Sequence, residues 1–469
     1  MSTNKVFVIA FISFSLTFTS NAPTTRADAE KQLAREIYKE MIEVQSGFTT
    51  GSTTPIAEAA AARLKAAGFP DSDIFVGGAK ATKHNIVVRY HGTGARKPIL
   101  LLAHIDVVEA KREDWSMDPF QLIEKDGYFY GRGTGDDKAQ AAIWLANLIT
   151  YKKEGFKPDR DLIVALTADE EGGGPFNGVD WLLANHRDLI DAEFCLNEGG
   201  WGEIVGGKRV ANYLQVAEKY VVNFRFEVRN KGGHSSLPVK DNAIYHLAGA
   251  LQRLSNFGFP LKTNAVTAAY FAQMAKLDSS PLKDDLAKTA TGSQTALEKV
   301  AASSPAYNAT LRTTCVATML EGGHALNALP QLAAASVNCR VLPEDSVTFV
   351  QSTLQKTVAD DQVVVKLMGD RSPEPGQPSP LRPDVLGAAR SVTEKMWPGV
   401  PVIPTMVMGG TDGRSTRKAG ILTYGIQGIF IDRDDVRFHG RDERIFVQSF
   451  YEGQAFLYDL VKSLSTASH

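Results

Sequence analysis

Two hydrophobic periods alternate along the first half of this chain. Residues 85–90 (Asn-Ile-Val-Val-Arg-Tyr), 98–103, 162–167 and 194–196 are short apolar runs predicted as strands, and the middle two are apolar enough to be buried on both faces. Residues 139–151 and 179–186 carry the helical period between them. Such alternation predicts an α/β sheet with helices on both faces. Ahead of it, residues 29–69 carry helix-spaced alanines and leucines and close at Gly68-Phe69-Pro70.

The texture changes near residue 213. An alternating, half-exposed strand at 220–229 is followed by a helix at 242–254, strands at 313–320 and 333–341, a helix at 346–358 and a strand at 363–368. That βαββαβ order is the ferredoxin-like one. A polar stretch over 256–308 interrupts it and is expected to form extra helices. The segment 371–378, Arg-Ser-Pro-Glu-Pro-Gly-Gln-Pro, reads as a linker leading back to a last α/β portion. The expected organisation is one large unit from 23–212 and 371–469, with a smaller unit, 213–370, inserted into it.

Composition narrows the function. With 469 residues and 43% apolar content the chain can bury at least one large core and favours two or three domains. A formal net charge of −2 gives no electrostatic reason for a nucleic-acid or anionic-membrane partner, so a small molecule or peptide is the expected substrate. Lys5 precedes an apolar run from Val6 through Phe18, and Ser20-Asn21-Ala22 supplies small residues for cleavage, so residues 1–22 read as an export signal peptide. No later stretch approaches the roughly twenty apolar residues a membrane span needs. The expected location is periplasmic or secreted. Cys195, Cys315 and Cys339 show no CxxC spacing; Cys315 and Cys339 lie in two β-rich stretches that could pair into one disulfide, the other reading being three buried reduced thiols.

Four segments place acidic residues or histidine directly after a buried-strand or glycine-turn pattern. They are His104-Ile105-Asp106 after Leu100-Leu101-Leu102, Asp136-Asp137 after Gly133-Thr134-Gly135, Asp169-Glu170-Glu171 after Val164-Ala165-Leu166, and Glu198 after Phe194-Cys195-Leu196. Open α/β sheets bind ligands at the carboxyl ends of their strands, so these side chains should converge on one crevice. Carboxylates converging without matching Lys or Arg repel one another, and a bound dication, or better two, removes the conflict. A mixed set of imidazole and carboxylate suits zinc, whereas oxygen alone would suit calcium or magnesium. In His104-x-Asp106 the aspartate can accept the second ring N–H and fix the tautomer. Paired Glu170-Glu171 fits one metal ligand beside one general base.

The ordered segments LLAHIDVV, GRGTGDDK, TADEEGG, NEGG, GGHSSLP, NALP and HGRDERI resemble the motifs of the M20 metallopeptidase family, closest to its carboxypeptidase and aminoacylase branch, and span most of the chain after residue 22. The resemblance implies a di-zinc exopeptidase-type sheet plus a ferredoxin-like α+β lid and dimerisation domain. It implies two zinc ions per chain, one bound by His104 and the other by His439, with Asp136 bridging, Glu171 on one metal and Glu198 on the other. Glu170 would be general base and later acid, Asp106 the partner of His104, and the Asp136–Asp137 peptide cis. His234 in the Gly-Gly-His-Ser-Ser loop resembles the histidine that holds the oxyanion, in dimeric relatives at the neighbouring subunit's site. Asn327, Arg340, Gly410 and Thr411 resemble substrate contacts, and an Arg fork suits a carboxylate. Relatives often have Gly where this chain has Ala139, and the long segment 256–308 also departs from the family pattern.

The implied function is cleavage of an amide, peptide or N-acyl, next to a free carboxylate by metal-activated water, with a small peptide or N-acyl amino acid as substrate and a homodimer as the form. A dipeptidase acting on unblocked dipeptides keeps the same metals. A non-catalytic periplasmic peptide-binding module has no need of Glu170. A nucleotide loop is excluded because no GxGxxG or GxxxxGK[ST] follows Gly133, and a serine hydrolase because no Gly-x-Ser-x-Gly elbow is present.

Overall fold

The structure is a computed structural model and describes residues 26–369 and 376–466. The signal peptide read over 1–22 and most of the linker read over 371–378 lie outside the described residues.

The apolar runs pair into one large sheet. Its strands lie in the order Ile74–Gly78, His84–Tyr90, Leu162–Thr167, Ile99–His104, Phe194–Asn197, Leu422–Gly425, Lys208–Glu218, Gly202–Val205 and Phe430–Asp432, with Val402–Val407 also pairing Lys208–Glu218. Ile99–His104 runs parallel to both of its neighbours, and every residue of it and of Leu162–Thr167 is buried. That is why these two read as unbroken apolar runs: helices cover both faces, so no position is left for a polar side chain. The expectation of an α/β sheet covered on two sides holds.

The helix Lys138–Glu154 is buried at every position from Lys138 to Tyr151 and lies between the sheet and the helices Arg26–Ile42 and Val447–Leu464. Trp144, 1% exposed, donates its indole N–H to the Leu102 carbonyl at 3.1 Å, which ties the helix to the strand Ile99–His104. Lys138 caps the end of Arg26–Ile42 through the carbonyls of Met41 and Val44. Residues 29–69 are two helices rather than one periodic segment, Arg26–Ile42 and Thr54–Ala66. Between them the backbone turns at Gly47 and Gly51, where an added Cβ would meet Glu109 and the Gly47 backbone within 3 Å.

The second sheet has the order Thr314–Gly322, Leu332–Val341, Tyr220–Arg229, Val363–Leu367, all antiparallel, with Ala243–Ser255 and Val347–Val358 against it. This is the ferredoxin-like arrangement. Its core of Val222, Phe224, Phe226, Leu247, Val337 and Leu354 is separate from the main one. Residues 256–312 form four more helices, Ala265–Leu277, Lys283–Ala290, Gln294–Ser303 and Pro305–Leu311. Capping is local and legible: Asn264 accepts from the Thr267 N–H while Thr267 answers the Asn264 N–H.

Cys315 and Cys339 face each other across neighbouring strands and are joined by a disulfide; Cys195 is free and buried. Thiol titration of denatured, non-reduced protein should therefore find one thiol per chain. Three thiols would contradict the pairing.

Candidate metal centre

The four acidic segments converge where the sheet chemistry places them. His104 is the last residue of Ile99–His104, Asp169-Glu170-Glu171 follow Leu162–Thr167, and Glu198 follows Phe194–Asn197. Asp136 comes instead from the turn before Lys138–Glu154, and its bond to Asp137 is cis. His439 comes from a loop near the C-terminus, in the left-handed conformation at φ 61°.

Asp136 stands between the two histidines. Its Oδ1 lies 3.0 Å from His104 Nε2, and its Oδ2 lies 3.1 Å from His439 Nε2. Glu198 Oε1 is 3.9 Å from the same His104 nitrogen, and Glu171 Oε1 is 3.0 Å from the His439 nitrogen. Each imidazole therefore meets one oxygen of Asp136 and one glutamate. Zinc–ligand bonds of ~2.0–2.1 Å in tetrahedral geometry separate ligand atoms by roughly 3.3 Å, so both halves of the cluster have the spacing of a metal site. His104, Glu170 and Glu198 also bring one ligand atom each within 4.8 Å of one another. The donor set, nitrogen plus carboxylate oxygen, fits a pair of borderline-soft dications.

Electrostatics describe the same demand. Among the described residues no Lys or Arg pairs with Asp136, Glu170, Glu171 or Glu198; their cationic neighbours are the histidines. Burial, then the nearby Asp412 and Glu171 charges, raises the Glu170 carboxyl well above the usual range, and burial with Asp136 does the same for Glu198. Hydrogen bonds to Asp136 and Glu171 push His439 up to about 10. His104, which burial alone would lower, is held well above its ordinary value by Asp106 and Asp136. These are the shifts of a buried, carboxylate-rich pocket that a dication would neutralise.

The role of Asp106 differs in detail from the sequence expectation. His104 Nδ1 lies 3.0 Å from the Asp106 backbone carbonyl and 3.6 Å from its carboxylate, so the carbonyl takes the ring N–H. The carboxylate instead accepts the backbone N–H groups of Glu170 and Glu171 at 3.0 and 3.1 Å. One aspartate thereby orients three site residues.

Gly410 and Thr411 line a cavity of about 560 Å³ together with Asp136, Glu198 and His439. Arg340, on the second sheet, reaches the Met408 carbonyl of the same wall at 3.5 Å. His234 and Asn327 are exposed and belong together: His234 pairs with Ala328, and Ser235 donates to the Asn327 carbonyl at 3.0 Å. Among the described residues neither makes a hydrogen bond or ion pair with the cluster; His234 Nδ1 accepts from Ser236.

Several supporting residues were not singled out from sequence. Glu443 is fully buried and accepts from Gly133, Gly135 and Asp136 N–H and from Arg132, at 2.7–3.2 Å, joining the turn of Asp136 to the loop of His439. Lys83 pairs with Asp169 at 2.9 Å, both buried, and holds Asp169 at φ 63° so that Glu170 and Glu171 turn inward. Glu218 accepts from the N–H and hydroxyl of Thr411 and from Arg417. Asp412, raised to about 6 by burial, accepts from Thr167 and Asn177. For Glu443 and Asp412 the available signal was an acidic residue inside HGRDERI and inside the segment 409–414, with partners more than two hundred residues away; Lys83 and Glu218 lie outside both segments.

A model of peptidase family M20/M25/M40 matches residues 100–463. The chain belongs to this family. This M20 peptidase is 30% identical over 376 residues to the human N-fatty-acyl-amino acid synthase/hydrolase PM20D1, covering 79% of this chain and 74% of that protein. It is 30% identical over 377 residues to the probable carboxypeptidase S-like 2 of Dictyostelium discoideum, covering 78% and 72%. Among solved structures, the M20 metallo-carboxypeptidase of Sulfolobus solfataricus superposes with a TM-score of 0.67 at 17% identity, covering 92% of this chain and 99% of that one. The M20 peptidase is accordingly a hydrolase with the lid-bearing fold of its structural neighbours and a candidate metal cluster. Among the described residues no helix is long and apolar enough to cross a membrane.

Proposed function

We propose that this chain is an exported di-zinc hydrolase that cleaves the amide bond of N-acyl amino acids, or of small peptides, beside a free carboxylate. The observation that carries the reading is Asp136 between His104 and His439, with Glu198 on one side, Glu171 on the other and Glu170 against the cluster. The names of the PM20D1 and carboxypeptidase S-like relatives support both substrate types.

Bound zinc would supply Lewis acidity, polarising the scissile carbonyl and making a water molecule acidic enough to attack at neutral pH. In this reading Glu170 takes the proton of the attacking water at its carboxylate and returns it to the leaving nitrogen. Asp106 keeps the backbone of Glu170 and Glu171 in place, and its carbonyl keeps His104 Nε2 free to face Asp136. Thr411, fixed by Glu218, presents its loop to the substrate, and Arg340 pairs with the substrate carboxylate through its planar fork. We assign the segments 23–212 and 371–469 to the catalytic unit and 213–370 to the lid.

The active form in this reading is a homodimer. The edge strand Thr314–Gly322 of the second sheet presents Val316, Met319 and Leu320, and Leu237 and Leu326 stand near His234 and Asn327 in sequence, each of these five side chains more than half exposed. An apolar patch of that kind favours a partner surface, and a second copy would carry His234 to the neighbouring cluster as an oxyanion donor.

Substituting Arg340→Ala tests the carboxylate anchor. Loss of a charge-assisted pair should raise KM for an N-acyl amino acid about tenfold or more, with Arg340→Lys restoring little because a point charge does not reproduce the fork. Equal KM values for the three proteins would remove Arg340 from the substrate site.

A further inference from the structure

The helices formed by residues 256–312 have a small core of their own, Phe271, Leu286, Leu297, Val300 and Leu311 among them. They do not stay with the second sheet. Val266, on Ala265–Leu277, is buried in the main core, and that helix packs against the strand Val402–Val407, whose residues and their continuation to Met408 and Thr411 line the catalytic cavity. Tyr270, Ala306 and Thr310 thereby become walls of that cavity.

Behind Tyr270 lies a second cavity of about 650 Å³, lined by Val205, Val210, Met274, Leu277, Tyr307 and Pro401. The two cavities share Glu203, Tyr213, Tyr270 and Ala306 as walls. Glu203 would repel an apolar ligand if it were bare, yet Arg433 grips both of its oxygens at 2.6 and 2.8 Å and the Tyr213 hydroxyl donates to it at 3.0 Å. Asp278 and Ser304, also in the lining, are engaged by the N–H groups of Ser280 and Ala306. A peptide brings a donor and an acceptor with every residue, and these engaged groups offer it little. An aliphatic chain needs only the apolar walls.

We propose that the second cavity receives the far end of a long aliphatic acyl group whose amide bond is cleaved in the first, and that Tyr213 and Tyr270 at the partition, with Met274 behind them, set the acyl length. This rests on the N-acyl amino acid reading above. It assigns the inserted helices a specificity role, since they supply Tyr270, Met274, Leu277 and Tyr307 from one packed unit.

The test is a chain-length series on zinc-loaded full protein: acetyl, hexanoyl, dodecanoyl and octadecanoyl derivatives of the amino acid best accepted as its N-acetyl form. Burying a methylene is worth about a fourfold gain in kcat/KM, so the value should climb with length until both cavities are filled. Met274→Trp, which fills the second cavity, should lower the octadecanoyl-to-acetyl ratio of kcat/KM by about tenfold or more, the equivalent of two methylenes. Leu277→Asp, at a position 45% exposed and so tolerant of a charge, should lower the same ratio and serves if the tryptophan variant fails to fold. Cleavage of the acetyl substrate with a ratio that is flat in wild type, or unchanged in the variants, would overturn the acyl channel while leaving the hydrolase reading intact. Cleavage of dipeptides with no N-acyl amino acid of any length accepted would overturn both.

Discussion

Replacing Glu170 by Gln should lower kcat by about 10²–10⁴-fold while the zinc content per chain stays at the wild-type value. The substitution keeps the size of the side chain and removes its capacity to hold a proton. Among the described residues Glu170 pairs with no Lys or Arg, its backbone N–H is fixed by Asp106 at 3.0 Å, and its carboxyl stands among Asp412, Glu171 and Asp106. Burial, with those carboxylates, raises the Glu170 carboxyl above its ordinary range. KM should change little, because the role lies in the transition state. An unchanged kcat would remove Glu170 as the proton carrier; a variant that lost its zinc would make it a ligand instead.

Asp136→Ala should have the largest effect on the metals. Its two oxygens face two different histidines at 3.0 and 3.1 Å, so one substitution strikes both halves of the cluster, whereas His439→Ala strikes one. After dialysis against a mild chelator, elemental analysis should find close to no zinc in the Asp136 variant and about one ion per chain in the His439 variant. The loss of affinity should exceed the ~10–100-fold that removal of an outer-shell partner costs. Two ions retained in Asp136→Ala would contradict the bridge.

Much of this site could be read from the chain because of how open α/β sheets are built. His104 and Glu198 end or follow strands whose every residue is buried, and a polar side chain directly after such a run has few places to go except the carboxyl end of the sheet. The strand Leu162–Thr167 matched its expected limits, and the ferredoxin-like order followed from period alone. Asp136 and His439 were different: neither lies on a strand, so a glycine turn pointed to the first and only the ordered motifs singled out the second. The break between Arg26–Ile42 and Thr54–Ala66 was missed because the helical spacing of alanines continues on both sides of Gly47 and Gly51.

What sequence could not supply was long-range pairing. Glu443 reaches back more than three hundred residues to Gly133 and Asp136, and Lys83 meets Asp169 across the strands between them. Neither partner carries a periodic signal. The packing of Ala265–Leu277 against Val402–Val407 is of the same kind, and with it the second cavity. A polar, helix-prone segment declares that it will be helical, but which wall it will build depends on the surface left open by strands far along the chain.

The most direct test of the whole account is zinc stoichiometry measured on the same sample as hydrolysis of an N-acyl amino acid and of its carboxamide. About two zinc ions per chain, with cleavage that chelation abolishes and that the carboxamide largely escapes, is the predicted result. Cleavage that survives complete removal of metal, or that treats acid and carboxamide alike, would contradict it.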